Sequence, residues 1–335
     1  MPRRRIWCET LPWPELRAPA VLALVARYDL DLLVAVRPPD LPALPELLAA
    51  FADAGVRPGL WPMVSDADGR WASARNAPVF TAFAREVLRA ADRGPRASAS
   101  ALVLDLEPSF HAVAAAFSYT PGPRARAMPP RTGYAAAREA FRVLASEARG
   151  RGLSVVSAVV PMTLLDPIPP APAPWQRAMG TPVDGIPWDH ASVMLYTSMV
   201  EGWSRGAFRR SDAVGLLAAG CRAAANRFGP AAGVSLGAVG TGALGDEPVY
   251  RSPAELAEDV SVARACGIDD LSLFDLGGVL ARPPAEAWLD AFTRTPAAER
   301  PPGSTARATA CLRAAAVPGA LARLAARLAP HLRAG

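Results

Sequence analysis

Two carboxylates lie close together in the first half of the chain, at the end of a short apolar run. The run is Ala101–Pro108, and it carries Asp105 and Glu107 among leucines and a valine. Side chains two positions apart on a β-strand share one face, so Asp105 and Glu107 point the same way and the leucines point the other way. Burial and mutual repulsion raise the pKa of one carboxyl group in such a pair, as a general acid requires. The alternative is a closed ion network in which arginines neutralise both acids.

Short apolar runs of this kind recur along the chain and alternate with helical stretches. Eight of them could form strands: Arg5–Glu9, Leu32–Val36, Gly59–Val64, Ala101–Leu106, Ser154–Val160, Ala191–Tyr196, Gly233–Val239 and Asp270–Leu276. Strands that alternate with helices pair in parallel through right-handed crossovers, and eight such units close into a barrel. We therefore predict an α/β fold, a (β/α)₈ TIM barrel over residues 6–292, with any active site at the C-terminal ends of its strands.

Glycines and loop lengths distinguish the two ends of this predicted barrel. Gly55, Gly152 and Gly267 each follow a helical stretch, where a left-handed residue commonly ends a helix. These joints lie at the end of the barrel away from the site. Two loops at the other end, residues 108–133 and 161–189, are longer than loops without a function usually are.

Three segments of the chain resemble family 18 glycoside hydrolases, the chitinase-like barrels. Leu104–Glu107 resembles the end of the Asp-x-Asp-x-Glu motif on the fourth strand of that family. Gly152–Pro161 is similar to its fifth strand. Asp189–Tyr196, followed by Glu201–Trp203, is similar to its sixth strand, where a Met-x-Tyr motif places a tyrosine over the site.

The resemblance implies a role for each matched residue. Glu107 corresponds to the general acid, Asp105 to the supporting carboxylate and Tyr196 to the phenol. In that family the nucleophile is the acetamido oxygen of the substrate itself. The implied function is hydrolysis or transfer at a glycosidic bond, with an N-acetylated sugar as the first substrate to test.

The chain also departs from the family motif. Ser100 and Val103 stand where the motif has two earlier acids, and Phe274, followed by Asp275, stands where the eighth strand usually has a tryptophan. The Ser-x-Gly-Gly motif of the third strand is missing. A barrel that binds carbohydrate without cleaving it is therefore the alternative function.

Five further residues are candidates for substrate contact. Phe274 and Asp275 end the eighth predicted strand, and Glu9 ends the first, where it either faces the site or forms a salt bridge at the rim. Trp61 and Trp71 flank the third loop, and their rings either stack on sugars or pack in the interior. A Gly240-Thr-Gly242 turn follows the seventh strand, where barrels often bind phosphate.

The composition excludes several other functions. The chain has no lysine, so all 36 basic residues are arginines and a lysine Schiff base is excluded. Six arginines and no acid lie in residues 300–335, whereas the 30 arginines and 31 acids before them leave a net charge of −1. A nearly neutral body predicts that the barrel does not bind nucleic acid.

The metal ligands are too dispersed to predict a metal site. The three histidines, His111, His190 and His331, are far apart, and the four cysteines are scattered without a Cys-x-x-Cys pair. We therefore expect no metal and no organic cofactor. The alternative is a hard cation such as Mg²⁺ or Ca²⁺, held by Asp105 and Glu107 together with Glu9 and Asp275 at the same mouth. The chain contains no apolar run long enough to span a membrane and no recognisable signal peptide, which predicts a cytoplasmic protein.

The last 41 residues form a separate segment in this prediction. Residues 1–294 make the barrel domain, and residues 295–335 make a Pro/Ala-rich linker and a basic amphipathic helix. The helix is predicted over Val317–Leu332, with an apolar stripe from Val317 to Leu328. We expect it to dock on its own barrel or on a partner, and a membrane surface is the remaining alternative.

Overall fold

The protein is a closed barrel of eight parallel strands surrounded by helices. The structure is a computed structural model, and it describes residues 4–94, 99–117 and 133–332. Each strand pairs with its neighbours in chain order, and the first strand pairs with the eighth to close the barrel. The predicted (β/α)₈ TIM barrel is confirmed.

The strands agree with the apolar runs to within two residues at either end. Their bounds are β1 Arg4–Cys8, β2 Asp31–Val36, β3 Arg57–Pro62, β4 Ala101–Leu106, β5 Ser154–Val159, β6 His190–Met194, β7 Ala232–Gly237 and β8 Asp270–Phe274. The agreement is close because these strands are buried on both faces, so most of their residues are apolar.

The helices form the outer layer of the barrel and the segments around its two mouths. Their bounds are α1 Trp13–Leu16, α2 Pro19–Arg27, α3 Leu44–Asp53, α4 Ala77–Ala91, α5 Phe110–Phe117, α6 Tyr134–Gly150, α7 Pro174–Met179, α8 Thr197–Trp203, α9 Arg210–Phe228, α10 Pro253–Ala265, α11 Leu276–Ala281, α12 Ala285–Arg294 and α13 Ala306–Leu332. Short 3₁₀ turns lie at Pro38–Ala43, Pro161–Leu165 and Gly229–Ala231. Of the two long loops, residues 118–132 lie outside the described part of the chain.

Side chains of the strands alternate between two apolar cores. On β4, Leu102, Leu104 and Leu106 belong to the core between the strands and the helices. Ala101 and Val103 belong to the smaller core inside the barrel. Asp105 has the same parity as these two inward residues and is buried. The strand therefore directs its one acid into the barrel.

The glycines at the helix-to-strand joints have the predicted conformation. Gly55, Gly152 and Gly267 have φ values of +68°, +81° and +82°. Only glycine adopts this left-handed region without strain, so these positions end their helices. The prediction for these three joints is confirmed.

The C-terminal helix begins earlier than the sequence predicts. It starts at Ala306 and not at Val317, because Thr305 caps it: Ala308 N–H donates to Thr305 Oγ1 at 3.1 Å. Thr305 Oγ1 donates in turn to Asp212 of α9 at 2.6 Å. Side chains beyond residue 320, which include most of the predicted apolar stripe, lie outside the description.

The first half of this helix contacts the barrel directly. The Trp175 indole N–H of α7 donates to the Ala315 carbonyl at 3.0 Å, and Arg307 pairs with Asp212 at 3.2 Å. None of the helices in the described ranges is long and apolar enough to cross a membrane.

Substitution of Trp175 should loosen the C-terminal helix. Trp175→Phe keeps an aromatic ring but removes the donor to Ala315, so we expect the free energy of unfolding to fall by about 1 kcal/mol. We also expect trypsin to cut the tail faster at Arg313. Urea denaturation and limited proteolysis measure the two effects.

Trp188→Phe is the matched control for this substitution. Trp188 donates to Val183 at 3.0 Å within the loop between α7 and β6, so its loss should cost a similar amount of stability without exposing the tail. Equal tail cleavage in the Trp175 variant and the wild type would contradict the docking role.

Candidate active site

Asp105 and Glu107 lie together at the C-terminal end of β4. The Asp105 side chain is buried, whereas Glu107, just past the end of the strand, is partly exposed. The two carboxyl groups are in hydrogen-bonding contact. Asp105 Oδ1 has no hydrogen-bond partner among the described residues. The pair is thus a buried acid behind an accessible one.

The surroundings of this pair favour protonated carboxyl groups. Burial raises the pKa of Asp105 to about 8, and the charge of Glu9 adds to the effect. Burial also raises the pKa of Glu107 well above its ordinary value, and the charges of Asp105 and Glu9 raise it further. Two carboxylates in contact cannot both ionise easily, so the pair holds a proton near neutral pH. A partly exposed carboxyl group that keeps its proton at this pH can act as a general acid.

Glu9 both faces the mouth and forms a salt bridge. It follows β1, is 4% exposed, and pairs with Arg70 at 3.2 Å. Burial raises the pKa of Glu9 to about 7, against the opposing charge of Arg70. The closed ion network predicted as an alternative would neutralise Asp105 and Glu107. It is only partial, because Arg70 pairs with Glu9 and with Asp66. No ion pair to Asp105 or Glu107 is found among the described residues.

Arg70 is held by aromatic rings as well as by acids. Its guanidinium lies 4.5 Å from the ring centre of Phe110 and 5.7 Å from that of Trp71. A cation over an aromatic face is attracted by the ring quadrupole. This arginine therefore has a fixed place at the mouth, above Glu9.

Tyr196 lies at the same mouth, just after β6. Its phenol oxygen is 3.1 Å from Ser235 Oγ of β7, and its ring is 5.8 Å from that of Phe274. Burial raises the pKa of Tyr196 above its ordinary value, and the charges of Glu107 and Asp105 add to this effect. Tyr196 thus keeps its proton. Asp105 and Glu107, which the sequence predicts at the same site, are close enough to raise its pKa.

The predicted aromatic contacts are buried in this structure. Trp61 and Trp71 are 3% and 5% exposed and belong to the core inside the barrel, as does Phe274. Trp61 packs edge-on against Trp7 at 4.8 Å. Neither tryptophan presents an open face, so their contact with sugar stays a prediction. Tyr196 and Phe110 are the more accessible rings beside them.

Asp275 contributes a further buried acid at the end of β8. It is the N-cap residue of α11, and its Oδ1 accepts the Gly278 N–H at 2.9 Å. Its other oxygen has no hydrogen-bond partner in the described part of the chain. Burial raises the pKa of Asp275 to about 6. Its role in substrate contact stays a prediction.

The glycine turn after β7 is already bound to a carboxylate. The Gly242 and Leu244 N–H groups donate to Glu247 at 3.0 and 2.8 Å. A phosphate at this turn, as the sequence suggested, would have to displace the Glu247 side chain.

The side chains that could bind a metal ion form no cluster in the described part of the chain. Over residues 4–94, 99–117 and 133–332, no three histidines, cysteines or acids are arranged to hold an ion. His190 bonds to Asp270 at 2.6 Å where β6 and β8 begin, at the opposite end of the barrel. It is held there as a structural residue.

Three residues beside the site, namely Trp7, Arg70 and Ser235, are not among those predicted from the sequence. Trp7 and Ser235 could have been found by strand parity, because Trp7 lies two residues before Glu9 and Ser235 lies between the outward residues Val234 and Leu236. Arg70 lies in a loop, where no periodicity indicates which side chain turns inward.

Comparison with known proteins gives matches in structure but not in sequence. No family model and no curated protein matches the chain significantly. The glycoside hydrolase domain of PgaB (BpsB) from Bordetella bronchiseptica aligns with a TM-score of 0.52 and 14% identity, over 87% of this chain and 99% of that one. A GH5_18 protein from Bifidobacterium longum, in complex with Manβ1-4GlcNAc, aligns with a TM-score of 0.54 and 12% identity, over 82% of this chain and 69% of that one.

These similarities concern the fold. The chain is a (β/α)₈ barrel of the kind found in these glycoside hydrolase structures. The barrel of the 3-keto-D-glucoside 4-epimerase YcjR from E. coli also aligns, with a TM-score of 0.49 and 12% identity, over 88% of this chain and 99% of that one.

Proposed function

We propose that this protein is a glycoside hydrolase that uses Glu107 as its general acid. The observation that carries the proposal is the Asp105–Glu107 pair at the barrel mouth, where the pKa of both groups is raised. Active sites of barrel enzymes lie at this end of the strands. The PgaB domain and the GH5_18 protein, which share the fold, are both described as glycoside hydrolases, and this supports the reaction class.

The proposed substrate carries an N-acetylated sugar next to the bond that is cleaved. Glu107 gives its proton to the glycosidic oxygen while the C1–O bond breaks, and the acetamido oxygen of the substrate attacks C1. Asp105 accepts a hydrogen bond from the acetamido N–H, and Tyr196 donates one to its oxygen. Water then attacks C1 as the bond between C1 and the acetamido oxygen breaks, and it gives a proton to the Glu107 carboxylate, which restores the acid. The GH5_18 structure holds a disaccharide that contains GlcNAc, which supports this choice.

Two departures favour a second candidate, a barrel that binds carbohydrate without cleaving it. Val103 is buried in the inner core, and Ser100 donates to the Pro58 carbonyl at 3.1 Å. Neither side chain can supply the charge that an acid in these positions would place behind Asp105. Without that charge behind Asp105, the site would hold a sugar but would not cleave it.

A panel of reporter glycosides, assayed beside a glycan-binding array, separates the two candidates. We expect release of the reporter from at least one β-linked N-acetylhexosaminide. Binding of a glycan without cleavage of any reporter or of the bound glycan itself would favour the second candidate.

Removal of the Glu9 charge should move the pH dependence of the reaction. The general acid must be protonated, so activity falls as pH rises through its pKa. Glu9→Gln removes a charge that raises the pKa of Glu107, so we expect the alkaline limb of kcat/KM to move to lower pH. Glu15→Gln, an exposed acid on α1, is the control and should leave the limb in place. A limb that stays or moves to higher pH in the Glu9 variant would contradict this assignment.

Chelation should leave the activity unchanged. The proposed mechanism needs a proton on Glu107, whereas a bound divalent cation would keep both carboxylates ionised. We expect the same kcat before and after exhaustive treatment with EDTA. A loss of activity that a divalent ion restores would overturn the acid mechanism.

A further inference from the structure

A chain of two hydrogen bonds crosses the inside of the barrel and ends at the Tyr196 phenol. The Trp7 indole N–H donates to Ser235 Oγ at 2.9 Å, and Ser235 Oγ lies 3.1 Å from the Tyr196 phenol oxygen. Trp7 comes from β1, Ser235 from β7 and Tyr196 from the end of β6. Trp7 and Ser235 are 1% and 0% exposed, so no solvent competes for these bonds.

The direction of the chain follows from the donor capacity of each group. An indole nitrogen is a donor only, so Ser235 must accept from Trp7. The remaining polar contact of Ser235 Oγ within the described chain is Tyr196. If the phenol donated to Ser235, the buried serine proton would be left without an acceptor, which is unfavourable. The favoured arrangement is therefore Trp7 N–H to Ser235 O–H to the Tyr196 oxygen.

This arrangement leaves the phenol proton free to point into the mouth. We propose that Ser235, supported by Trp7, is a positioning residue that holds Tyr196 as a hydrogen-bond donor to the ligand. The inference rests on the proposed function, in which Tyr196 donates to the acetamido oxygen. Gly237 allows the arrangement, because a Cβ there would lie 3.1 Å from the Tyr196 ring.

The loss of Ser235 should act on the reaction through Tyr196 alone. In Ser235→Ala the phenol can donate to other acceptors, so we expect kcat to fall about 3- to 10-fold, with a smaller change in KM, since a net hydrogen bond is worth about 1 kcal/mol. In a Tyr196→Phe background the same substitution should cause no further loss, because the group that Ser235 orients is gone.

Ser272→Ala is the matched control. Ser272 lies opposite Ser235 in the β7–β8 register, is equally buried, and has its hydroxyl bonded to Ser192 at 3.4 Å. A merely structural effect of removing a buried hydroxyl would appear in this variant too. We expect Ser272→Ala to leave kcat unchanged in both backgrounds.

A second readout does not depend on activity. In ¹⁵N NMR spectra, the Trp7 indole N–H signal, identified by its loss in Trp7→Phe, should shift and exchange faster with solvent in Ser235→Ala. It should shift less in Tyr196→Phe and stay unchanged in Ser272→Ala. An unchanged Trp7 signal in Ser235→Ala would overturn the hydrogen-bond chain.

The two readouts also separate this inference from the proposed function. A wild-type protein that cleaves no glycoside overturns the proposed function, and the Trp7 signal then decides the hydrogen-bond chain by itself. In an active enzyme, Ser235→Ala could lower kcat as much in the Tyr196→Phe background as in the wild type. That result would overturn the positioning role, while the glycosidase assignment would stand.

Discussion

Replacement of Glu107 by glutamine should lower kcat by roughly 10²- to 10⁴-fold, the usual contribution of a general acid. Glutamine keeps the shape and the hydrogen-bonding length of the side chain but has no proton to give to the leaving oxygen. We therefore expect KM to change little by comparison and the melting temperature not to fall, because the raised pKa of Glu107 means that its charge does not stabilise the fold. Steady-state kinetics on the reporter glycoside that the wild type cleaves fastest measure the effect.

Two further measurements make this result specific to Glu107. Glu86→Gln changes an exposed glutamate on the outer face of α4 and should have wild-type kinetics. A glycan-binding assay should show that Glu107→Gln still binds its ligand, because the variant removes a proton donor and not the surface of the site. Undiminished turnover in the Glu107 variant would rule out its role as the acid.

Replacement of Asp105 by asparagine should stabilise the fold, and more strongly as pH rises. The pKa of Asp105 is about 8 in the folded protein, against about 4 in an unfolded chain. Between these two values the folded state holds a proton that the unfolded state has lost, so the free energy of unfolding falls as pH rises. Asparagine does not ionise, so the variant avoids this loss. We expect it to gain roughly 2 to 4 kcal/mol at pH 8.5 and little at pH 4.5.

Urea denaturation at the two pH values tests this expectation. Asp246→Asn, which alters an exposed aspartate in the loop after β7, is the control. Its free energy of unfolding should differ from that of the wild type by the same amount at both pH values. The same variant of Asp105 should also lose activity, because the supporting carboxylate is gone. A gain in stability with a loss in activity is the pattern expected of a residue kept for function at a cost in stability. A stability gain of Asp105→Asn over the wild type that shrinks toward alkaline pH would contradict the raised pKa of Asp105.

Much of the barrel and part of the site follow from local sequence patterns. Each buried strand is a short apolar run, so its position is visible without knowledge of its neighbours. The period of two on β4 is enough to place Asp105 and Glu107 on one face, opposite the leucines. The glycines after the helices, such as Gly152, show which end of the barrel is opposite the site because only glycine fits their left-handed conformation.

Other features depend on contacts between distant parts of the chain, and only the tertiary structure decided them. Ser235 of β7 lies between Trp7 and Tyr196 because closure of the barrel pairs β1 with β8, the neighbour of β7. Arg70, in the loop after β3, reaches Glu9 at the end of β1, 61 positions away in sequence. The early start of the C-terminal helix depends likewise on Asp212 accepting from Thr305, 93 positions away in sequence. Periodicity records which face of an element is buried. It does not record which partner that face meets, since that choice is made by the geometry of closure and by the path of the loops.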